Sequence, residues 1–401
     1  MRRIQAVWKR ISATVVFLAP VLIATAQFNP NNSFLDAHFG KPVTFSSRDS
    51  SFSLAIGGRI QSLAEARYDR LEKEGLIDAS IRRVRLNLGG NAINEKFTYR
   101  IQLSFSQRDI SADNPDVQNN LVLRDAMLFF SPNKNLRFGF GQTKLPGNRQ
   151  RQTSSANLQF ADRSNTNALF TLDRDKGIWI VYTFDIDKII VSNTVAITSG
   201  EGRIISDKSA GLCYSFRSEI LPFGEFKNNG DYIESDLFFE DRFRLSLAAS
   251  YSFNDDTRRV AGQLGQYLYN GEHTDLKYYG FDIAAKFRGW SFTGEIFRRS
   301  ATNAISIDTA NPSKTSYVYT GTGLLVQTGY LFTDKDEIAL RYGRTSPSSG
   351  IEHLVSTVNE YMIGYSHYFF RHNLKVQTDA GYFRGPGTKI LQARGTAVFT
   401  F

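Results

Sequence analysis

Cationic side chains gather in one unusual stretch of the sequence, residues 141–177. Its first half holds Lys144, Arg149 and Arg151, and the first acidic residue in the stretch is Asp162. Guanidinium groups bind phosphate and carboxylate through a fixed fork of donors, and rings of Arg and Lys favour anions in pores. The chemistry that this stretch predicts is therefore the binding of small anions, without the making or breaking of bonds.

The same stretch is too long for a turn and too apolar for a linker. Connections beyond about 12–15 residues are uncommon in compact folds and are usually functional or disordered. This one carries apolar residues that a disordered linker would lack, namely Leu145, Leu158, Phe160, Leu169 and Phe170. We expect residues 145–176 to fold inward and to narrow a pore.

The candidate solute-binding residues are cations of this segment and of the polar faces of nearby strands. The segment and its ends supply Lys144, Arg149, Arg151, Arg163 and Arg174, and the strands supply Arg83, Arg85, Arg100, Arg242 and Arg244. Arg163 and Arg174 each adjoin an Asp, which favours a structural ion pair for them. For Arg149 and Arg151, which have no acid nearby in sequence, solute contact and structural pairing are equally open.

The sequence contains no pattern that indicates catalysis or metal binding. The five histidines are scattered without HxH or HExxH spacing, and no GxSxG motif is present. A single cysteine, Cys213, excludes an internal disulfide. We therefore expect no enzyme, no metal and no cofactor.

The elements that must position the cations are strands. Apolar and polar residues alternate with period two in sixteen runs between residue 52 and the end, as in Phe97 to Phe105, where Arg100 lies on the polar face. The runs approach the roughly 9–11 residues that a tilted strand needs to cross a bilayer. Long and short connections alternate between them, which is typical of transmembrane barrels. The sequence predicts an all-β protein, a transmembrane antiparallel β-barrel of about 16 strands over residues 52–401, with residues 145–176 as its third extracellular loop.

Two features stand out in this pattern. Residues 217–241 occupy the place of a short turn but are long, so either the strand count slips there or the turn is elaborated. The last run ends on Phe401, and a terminal aromatic of this kind resembles the signal by which barrel-assembly machinery recognises outer-membrane barrels. An ordinary terminal edge strand is the alternative, although a free apolar edge would invite aggregation.

The N-terminus predicts export. Four basic residues, an apolar run from Ile11 to Ile23 and Ala24-Thr25-Ala26 form a signal peptide, residues 1–26, cleaved after Ala26. A short membrane anchor is the alternative. Cleavage removes four cations and no acids, which lowers the formal charge from +9 to +5. Residues 27–51 are polar and aperiodic and form an N-terminal segment before the barrel. The sequence has no dense run of Lys and Arg, so we do not expect nucleic acid as a partner.

Several runs, in order, resemble the phosphate-selective porins O and P of bacterial outer membranes. They include Gly141 to Pro146, Thr153 to Ser155, Phe160 to Ser164, Arg174 to Gly177, Arg82 to Leu86, Arg124 to Ala126, Leu221 to Gly224, Tyr251 to Asp256 with Gly262 to Gly265, and Gln327 to Phe332 with Glu337 and Arg341-Tyr342. The resemblance implies a sixteen-stranded barrel, usually a homotrimer, whose third loop folds into the lumen. It also implies that the long segment 217–241 is an elaborated turn.

The function that we expect is a porin in the outer membrane of a Gram-negative bacterium, with a water-filled channel for small anionic solutes. Phosphate and polyphosphate are the candidate solutes, and membrane lipid surrounds the barrel. A barrel of about 16 strands is wide enough to leave an aqueous channel, whereas eight strands would be filled by side chains. A general diffusion porin and a non-channel barrel that serves adhesion are the alternatives.

Overall fold

The computed structural model describes residues 35–36, 38–110, 122–203 and 211–401. The predicted signal peptide therefore lies outside the described residues, as does much of the N-terminal segment. Among the described residues, no helix has the length and apolar character that a membrane crossing requires.

Sixteen long strands account for most of the chain. They are β1 Ser53–Asp69, β2 Glu74–Ala92, β3 Asn94–Ser104, β4 Leu123–Phe130, β5 Leu136–Lys144, β6 Arg174–Ile186, β7 Ile189–Thr198, β8 Cys213–Leu221, β9 Arg244–Thr257, β10 Thr274–Phe287, β11 Trp290–Ala301, β12 Gly321–Leu331, β13 Asp336–Pro347, β14 Val358–Phe370, β15 Leu374–Gly385 and β16 Thr388–Thr400. Each of the sixteen alternating runs of the sequence falls on one of these strands.

The sixteen strands form a closed antiparallel barrel. Every strand pairs with the strands before and after it in sequence. The last strand, β16, pairs with β1 from Ile390↔Asp69 to Thr400↔Arg59. Closure leaves the wall without a free edge, so all of its backbone groups can pair internally.

The two faces of the wall are inverted relative to those of a water-soluble protein. On β1, Ile60 is 46% exposed whereas its neighbours Arg59 and Gln61 are 4% and 1% exposed. Phe140 on β5 and Leu128 on β4 are likewise exposed at 66% and 64%. Apolar residues therefore cover the outside and polar residues face the interior, as a lipid-facing barrel requires.

Aromatic side chains ring the outside of the barrel near both ends of the strands. We define the long-connection rim as the end where β1, β5, β13 and β15 finish, and the short-turn rim as the opposite end. Exposed tyrosines follow the long-connection rim, among them Tyr68, Tyr279 and Tyr361, and the short-turn rim carries Phe97, Phe130, Trp290, Tyr330, Phe369 and Phe399. Such girdles lie at the two membrane interfaces of transmembrane barrels.

The remaining elements are short. Strands Leu35–Asp36, Val43–Ser46, Ile305–Ile307 and Thr315–Tyr317, helices α1 Gln107–Ile110, α2 Arg149–Gln152 and α3 Asn165–Phe170, and 3₁₀ turns Lys227–Tyr232 and Tyr269–Gly271 complete the secondary structure. Val43–Ser46 pairs antiparallel with the start of β1, so the segment before the barrel, which the sequence reads as aperiodic, contributes a strand.

The alternation of long and short connections is less regular than the sequence predicts. The alternation predicts a long connection at residues 71–77, and this prediction is wrong: β1 and β2 pair as far as Asp69↔Glu74, so only residues 70–73 lie between them. In contrast, residues 222–243 separate β8 from β9 at the short-turn rim. Of the two readings of that segment, the elaborated turn is the one that the structure supports.

Candidate solute-binding site

The segment between β5 and β6, residues 145–173, packs its apolar side chains against those of the wall in two clusters. Leu145, Leu158, Phe160 and Phe170 are at most 1% exposed. Phe170 stacks on Phe297 of β11, with ring centroids 5.8 Å apart. In α3, Ser164 caps the helix by accepting a hydrogen bond from the Asn167 amide, as Ser commonly does at this position. The segment is therefore ordered, as the apolar residues predict.

Carboxylates of the wall hold the backbone of this segment at three separate places. The Gln150 amide donates to Glu295 Oε1 on β11 at 2.6 Å. The Asn165 amide donates to Glu360 Oε2 on β14 at 2.7 Å, and the Ala161 amide donates to Asp379 Oδ2 on β15 at 3.0 Å. Charge-assisted bonds of this kind are about twice as strong as neutral ones, so β11 and the adjacent strands β14 and β15 fix the course of the segment.

Arg149 forms the most heavily bonded contact between the segment and the wall. Its guanidinium donates to Asp282 Oδ1 of β10 at 2.9 Å, to Glu219 Oε1 of β8 at 2.5 Å and to the Asp231 carbonyl at 3.0 Å. Burial lowers the pKa of Arg149, but Asp282 and Glu219 outweigh it and raise that pKa above its ordinary value. The side chain is 2% exposed and therefore acts as a clamp.

A cavity of about 600 Å³ with a strong excess of arginine lies beside the segment. Eight arginines line it against three carboxylates: Arg67, Arg82, Arg83, Arg85, Arg124, Arg151, Arg163 and Arg394 against Asp109, Asp162 and Glu360. We call it the arginine cavity. Its lining carries five more positive than negative charges, which favours an anion inside it.

Asp162, an acidic residue of the segment itself, lines this cavity. Its carboxylate accepts from Arg82 Nε and from Arg83 Nη2, both at 2.7 Å. Burial raises the pKa of Asp162, but Arg83 and Arg82 prevail and hold it well below its usual range. Arg163 instead donates to the carbonyls of Gln150 and Thr153, at 2.7 and 2.6 Å. Burial, followed by repulsion from Arg83, lowers the pKa of Arg163 to about 9, so this group is charged at neutral pH.

Two β-bulges each add one arginine of the wall, Arg82 or Arg124, to the lining of the arginine cavity. The β1–β2 register shifts between Gln61 and Ser62, which leaves Arg82 as the extra residue beside Arg83. The β3–β4 register shifts between Gln102 and Leu103, which leaves Arg124 beside Asp125. Because a bulge places two residues opposite one and re-aims a side chain, residues that strict alternation would send outward turn inward.

A second cavity, of about 690 Å³, lies beside the same segment toward β2–β8. Its lining includes five cations, Arg85, Arg100, Lys144, Arg174 and Arg217, and three carboxylates, Asp125, Glu219 and Asp231. Arg174 is paired with Asp125 at 2.8 Å, whereas Arg100 is 55% exposed and lies 3.7 Å from the same carboxylate. This cavity is therefore more nearly balanced in charge than the arginine cavity.

Seven of the ten candidate cations of the sequence line one or both cavities. Arg83, Arg151 and Arg163 line the arginine cavity, Lys144, Arg100 and Arg174 line the second cavity, and Arg85 lines both. Lys144 Nζ donates to the Gln152 carbonyl at 2.9 Å, and Arg151 is paired with Asp173.

The other three candidates lie elsewhere. Arg149 clamps the segment, and Arg242 is exposed in the connection before β9. Arg244, at the start of β9, bonds the Phe223 carbonyl near the short-turn rim. None of the three lines either cavity.

The candidates from the sequence omit four arginines of the arginine cavity. Arg67 and Arg394 lie on the polar faces of their strands, so their alternation with apolar neighbours was a usable signal. Arg82 and Arg124 carry no such signal, because only the bulges turn them inward.

The long connection at the short-turn rim supports the segment from the other side. Glu234 accepts from the Gln159 amide at 2.8 Å, and its own amide donates to the Asn157 carbonyl at 3.0 Å. Ser235 Oγ donates to Glu337 Oε2 on β13 at 2.7 Å. Residues 222–243 are therefore joined both to the barrel wall and to residues 145–173.

Comparisons with known proteins agree on one class. The family model for phosphate-selective porin O and P matches residues 55–383. No curated protein sequence matches the chain. Among solved structures, the outer membrane channel DcaP of Acinetobacter baumannii is similar at TM-score 0.55 and 12% identity, over 89% of this chain and 99% of that one.

Two further solved structures have the same fold. The anion-selective porin from Comamonas acidovorans is similar at TM-score 0.54 and 11% identity, over 87% of this chain and all of that one. OmpF of Salmonella typhi, in complex with daunomycin, is similar at TM-score 0.54 and 13% identity, over 89% of this chain and all of that one.

Proposed function

The chain belongs to the phosphate-selective porin O and P family, and on that premise we propose that its channel passes small anionic solutes through a constriction formed by residues 145–173. The observation that carries this proposal is the arginine cavity, where eight arginines face three carboxylates. An anion that passes along this wall exchanges part of its hydration shell for guanidinium donors. Several partly neutralised cations bind more weakly than one deep site, so the solute can leave again.

The residues that we assign to solute contact are the cations of the two cavities. In the arginine cavity they are Arg67, Arg82, Arg83, Arg85, Arg124, Arg151, Arg163 and Arg394. In the second cavity they are Arg100, Lys144 and Arg174. Arg217 is left out because it is bonded to Asp282 and to the Gly147 carbonyl. Arg67 and Arg100 are the best placed for exchange with solvent, because their side chains are exposed. Phosphate as the solute is supported by the family's name, and the anion-selective porin of similar fold supports the charge preference.

The partners and processing that we propose follow the same family. The chain is exported with cleavage after Ala26, assembles as a homotrimer and presents Phe401 to the barrel-assembly machinery. Phe401 exchanges two backbone hydrogen bonds with Gly58 of β1, at 2.7 and 3.0 Å, which places it at the seam where the barrel closes. A general diffusion porin would have the same fold but little preference for anions.

Reversal potential in a planar bilayer under a potassium chloride gradient tests the anion preference. Arg67→Gln/Arg163→Gln removes two cations of the arginine cavity, and Arg242→Gln/Arg244→Gln removes two cations that line neither cavity. A unit charge contributes about 1 kcal/mol at contact distance in water, so each charge removed from the cavity lowers the chloride-to-potassium permeability ratio roughly fivefold. The control pair leaves the ratio unchanged.

Competition then tests the solute. Phosphate added to one side should reduce the chloride current of the wild type and reduce that of the Arg67→Gln/Arg163→Gln variant less. A wild-type protein with no chloride preference would support the general diffusion porin. Equal shifts in the two double variants would show that the net charge of the chain, and no particular cavity, sets the preference.

A further inference from the structure

Four cations face outward in a row at the long-connection rim. Asn359 of β14 pairs with Arg344 of β13 on one side and with Arg384 of β15 on the other. Arg384 also pairs with Lys389 of β16. The amide of Arg70, just after β1, donates to the Lys389 carbonyl at 2.9 Å. Arg344, Arg384, Lys389 and Arg70 are all exposed, and we call them the outer basic row.

These side chains belong to the lipid-facing side of the wall. Arg344, Arg384 and Lys389 are each an even number of residues from an exposed apolar residue of their own strand, such as Leu340 for Arg344 and Leu391 for Lys389, and Arg70 follows the exposed Tyr68 of β1 by two residues. Because alternate residues of a strand share a face, the row lies on the same face as that apolar band. No carboxylate among the described residues forms an ion pair with any of the four cations.

A girdle of tyrosines lies directly below the row. Tyr342 and Tyr361 pair across β13 and β14, and Tyr361 pairs with Tyr382 across β14 and β15. The rings of Tyr342 and Tyr361 are 5.3 Å apart, and the Tyr342 hydroxyl donates to Asn359 Oδ1 at 2.9 Å. Tyrosine in this position marks the membrane interface, with its ring in the apolar region and its hydroxyl toward the headgroups.

An apolar groove of about 600 Å³ runs below the tyrosines on the outside of the barrel. Its lining includes Leu340, Ile363 and Ala380 with the three tyrosines. Ala380 pairs with Ile363 on β14 and with Ala393 on β16, so two small side chains lie side by side at this point. The volume falls within the roughly 300–1,000 Å³ that ligand pockets commonly have.

We propose that this surface binds a phosphorylated glycolipid of the outer leaflet, with its phosphates on the outer basic row and one acyl chain in the groove. Charge complementarity selects the headgroup, because Arg and Lys at a membrane surface attract anionic lipid. The proposal relies on the outer-membrane location within the proposed function, and it does not depend on conduction or on anion preference.

The length of the row favours a lipid with more than one phosphate. Arg344 and Arg70 lie four strand spacings apart, and adjacent strands are about 4.8 Å apart, so the row spans roughly 19 Å. A single phosphodiester headgroup covers only one or two of these cations. A glycolipid with two phosphates on a disaccharide can reach both halves of the row.

Native mass spectrometry of the full mature protein in detergent tests this inference. The probes are bisphosphorylated lipid A, monophosphorylated lipid A and phosphatidylglycerol. Arg384→Gln/Lys389→Gln removes two cations of the row. Lys277→Gln/Arg298→Gln is the matched control, because it also removes one Lys and one Arg that are exposed on adjacent strands at the same rim.

We expect bisphosphorylated lipid A to bind the wild type more tightly than phosphatidylglycerol. The row variant should lose roughly tenfold or more of that affinity, whereas the control should keep it. Ala380→Trp, which fills the groove without a change of charge, should weaken binding of all the acylated probes, and it keeps the test valid if the row variant fails to fold.

Equal losses in the two double variants would overturn the proposal, as would equal binding of lipid A and phosphatidylglycerol. A protein that binds lipid A as predicted but conducts no anions would refute the proposed channel function alone. A protein that conducts anions but binds no lipid A would refute this inference alone.

Discussion

Replacement of Arg149 tests whether this residue holds residues 145–173 against the wall or instead selects the ions that pass. The guanidinium bonds Asp282, Glu219 and the Asp231 carbonyl at once. In Arg149→Ala both buried carboxylates lose this partner, although Arg217 still donates to Asp282 at 2.6 Å. Breaking a buried ion pair by removal of one partner costs about 3–5 kcal/mol, so the segment should open from the wall far more often.

Amide hydrogen exchange measures that cost at the place where it arises. At about 1.4 kcal/mol for each factor of ten, 3–5 kcal/mol corresponds to roughly two to three and a half decades of protection. The amides to follow are those of Gln150, bonded to Glu295, and of Thr153, bonded to the Arg149 carbonyl. Single-channel recordings should show larger and noisier conductance, because residues 145–173 no longer stay against the wall.

Arg149→Lys gives the decisive comparison. Lysine keeps the charge but has no planar fork to reach three acceptors. If Arg149 acts as a clamp, this variant should lose hydrogen-exchange protection in the segment. If Arg149 instead acts as a selectivity residue, the channel should keep its reversal potential in this variant. Arg242→Gln, a change in an exposed cation, is the control for both assays. If Arg149→Lys and Arg149→Ala both keep full protection at Gln150 and Thr153, the reasoning from these contacts is refuted.

Three further outcomes follow from other contacts. Asp162→Asn removes the carboxylate that accepts from Arg82 and Arg83 and should raise the chloride-to-potassium permeability ratio. Because the pKa of Asp162 is depressed in the folded protein, its ion pair stabilises the fold above the unfolded pKa of about 3.9 and is lost only as the pH falls through the lower folded value. The wild-type permeability ratio should therefore stay level from pH 7 to pH 4. Glu234→Gln leaves the Gln159 amide with a weaker acceptor and should increase current noise without a shift in reversal potential, and an unchanged noise spectrum would count against this contact. Leu340→Arg places a charge on the exposed apolar face and should destabilise the barrel in liposomes by about 2–4 kcal/mol in unfolding titrations, whereas Leu340→Phe should not.

The barrel could be predicted from the sequence because lipid and water act on alternate residues of each strand. Every one of the sixteen alternating runs falls on a strand. The sequence pattern does not predict the end of β8, because Arg217 and Glu219 resemble the start of a turn. In the structure both are buried, with Arg217 bonded to Asp282 and Glu219 to Arg149, and such partners lie too far away in sequence to be inferred.

The candidate site was predicted only in part, for two physical reasons. Period-two alternation assigns Arg82 to the outer face, and a bulge of one residue reverses that assignment without a signal in composition. Arg149 has no acid near it in sequence, yet Asp282 lies 133 residues further along the chain and meets it in the barrel. The number of cations could be read from the sequence, whereas the acids that neutralise each one could not.

The closing pair of strands imposes an order on biogenesis. Gln61 and Thr396 are hydrogen-bonded although they lie 335 residues apart in sequence. The pairing of β1 with β16 therefore cannot form until β16 has been synthesised. Contacts between such distant parts of a chain form slowly. Until then the apolar faces of the strands are exposed to water, so holdase chaperones must prevent the polypeptide from aggregating before it reaches the bilayer.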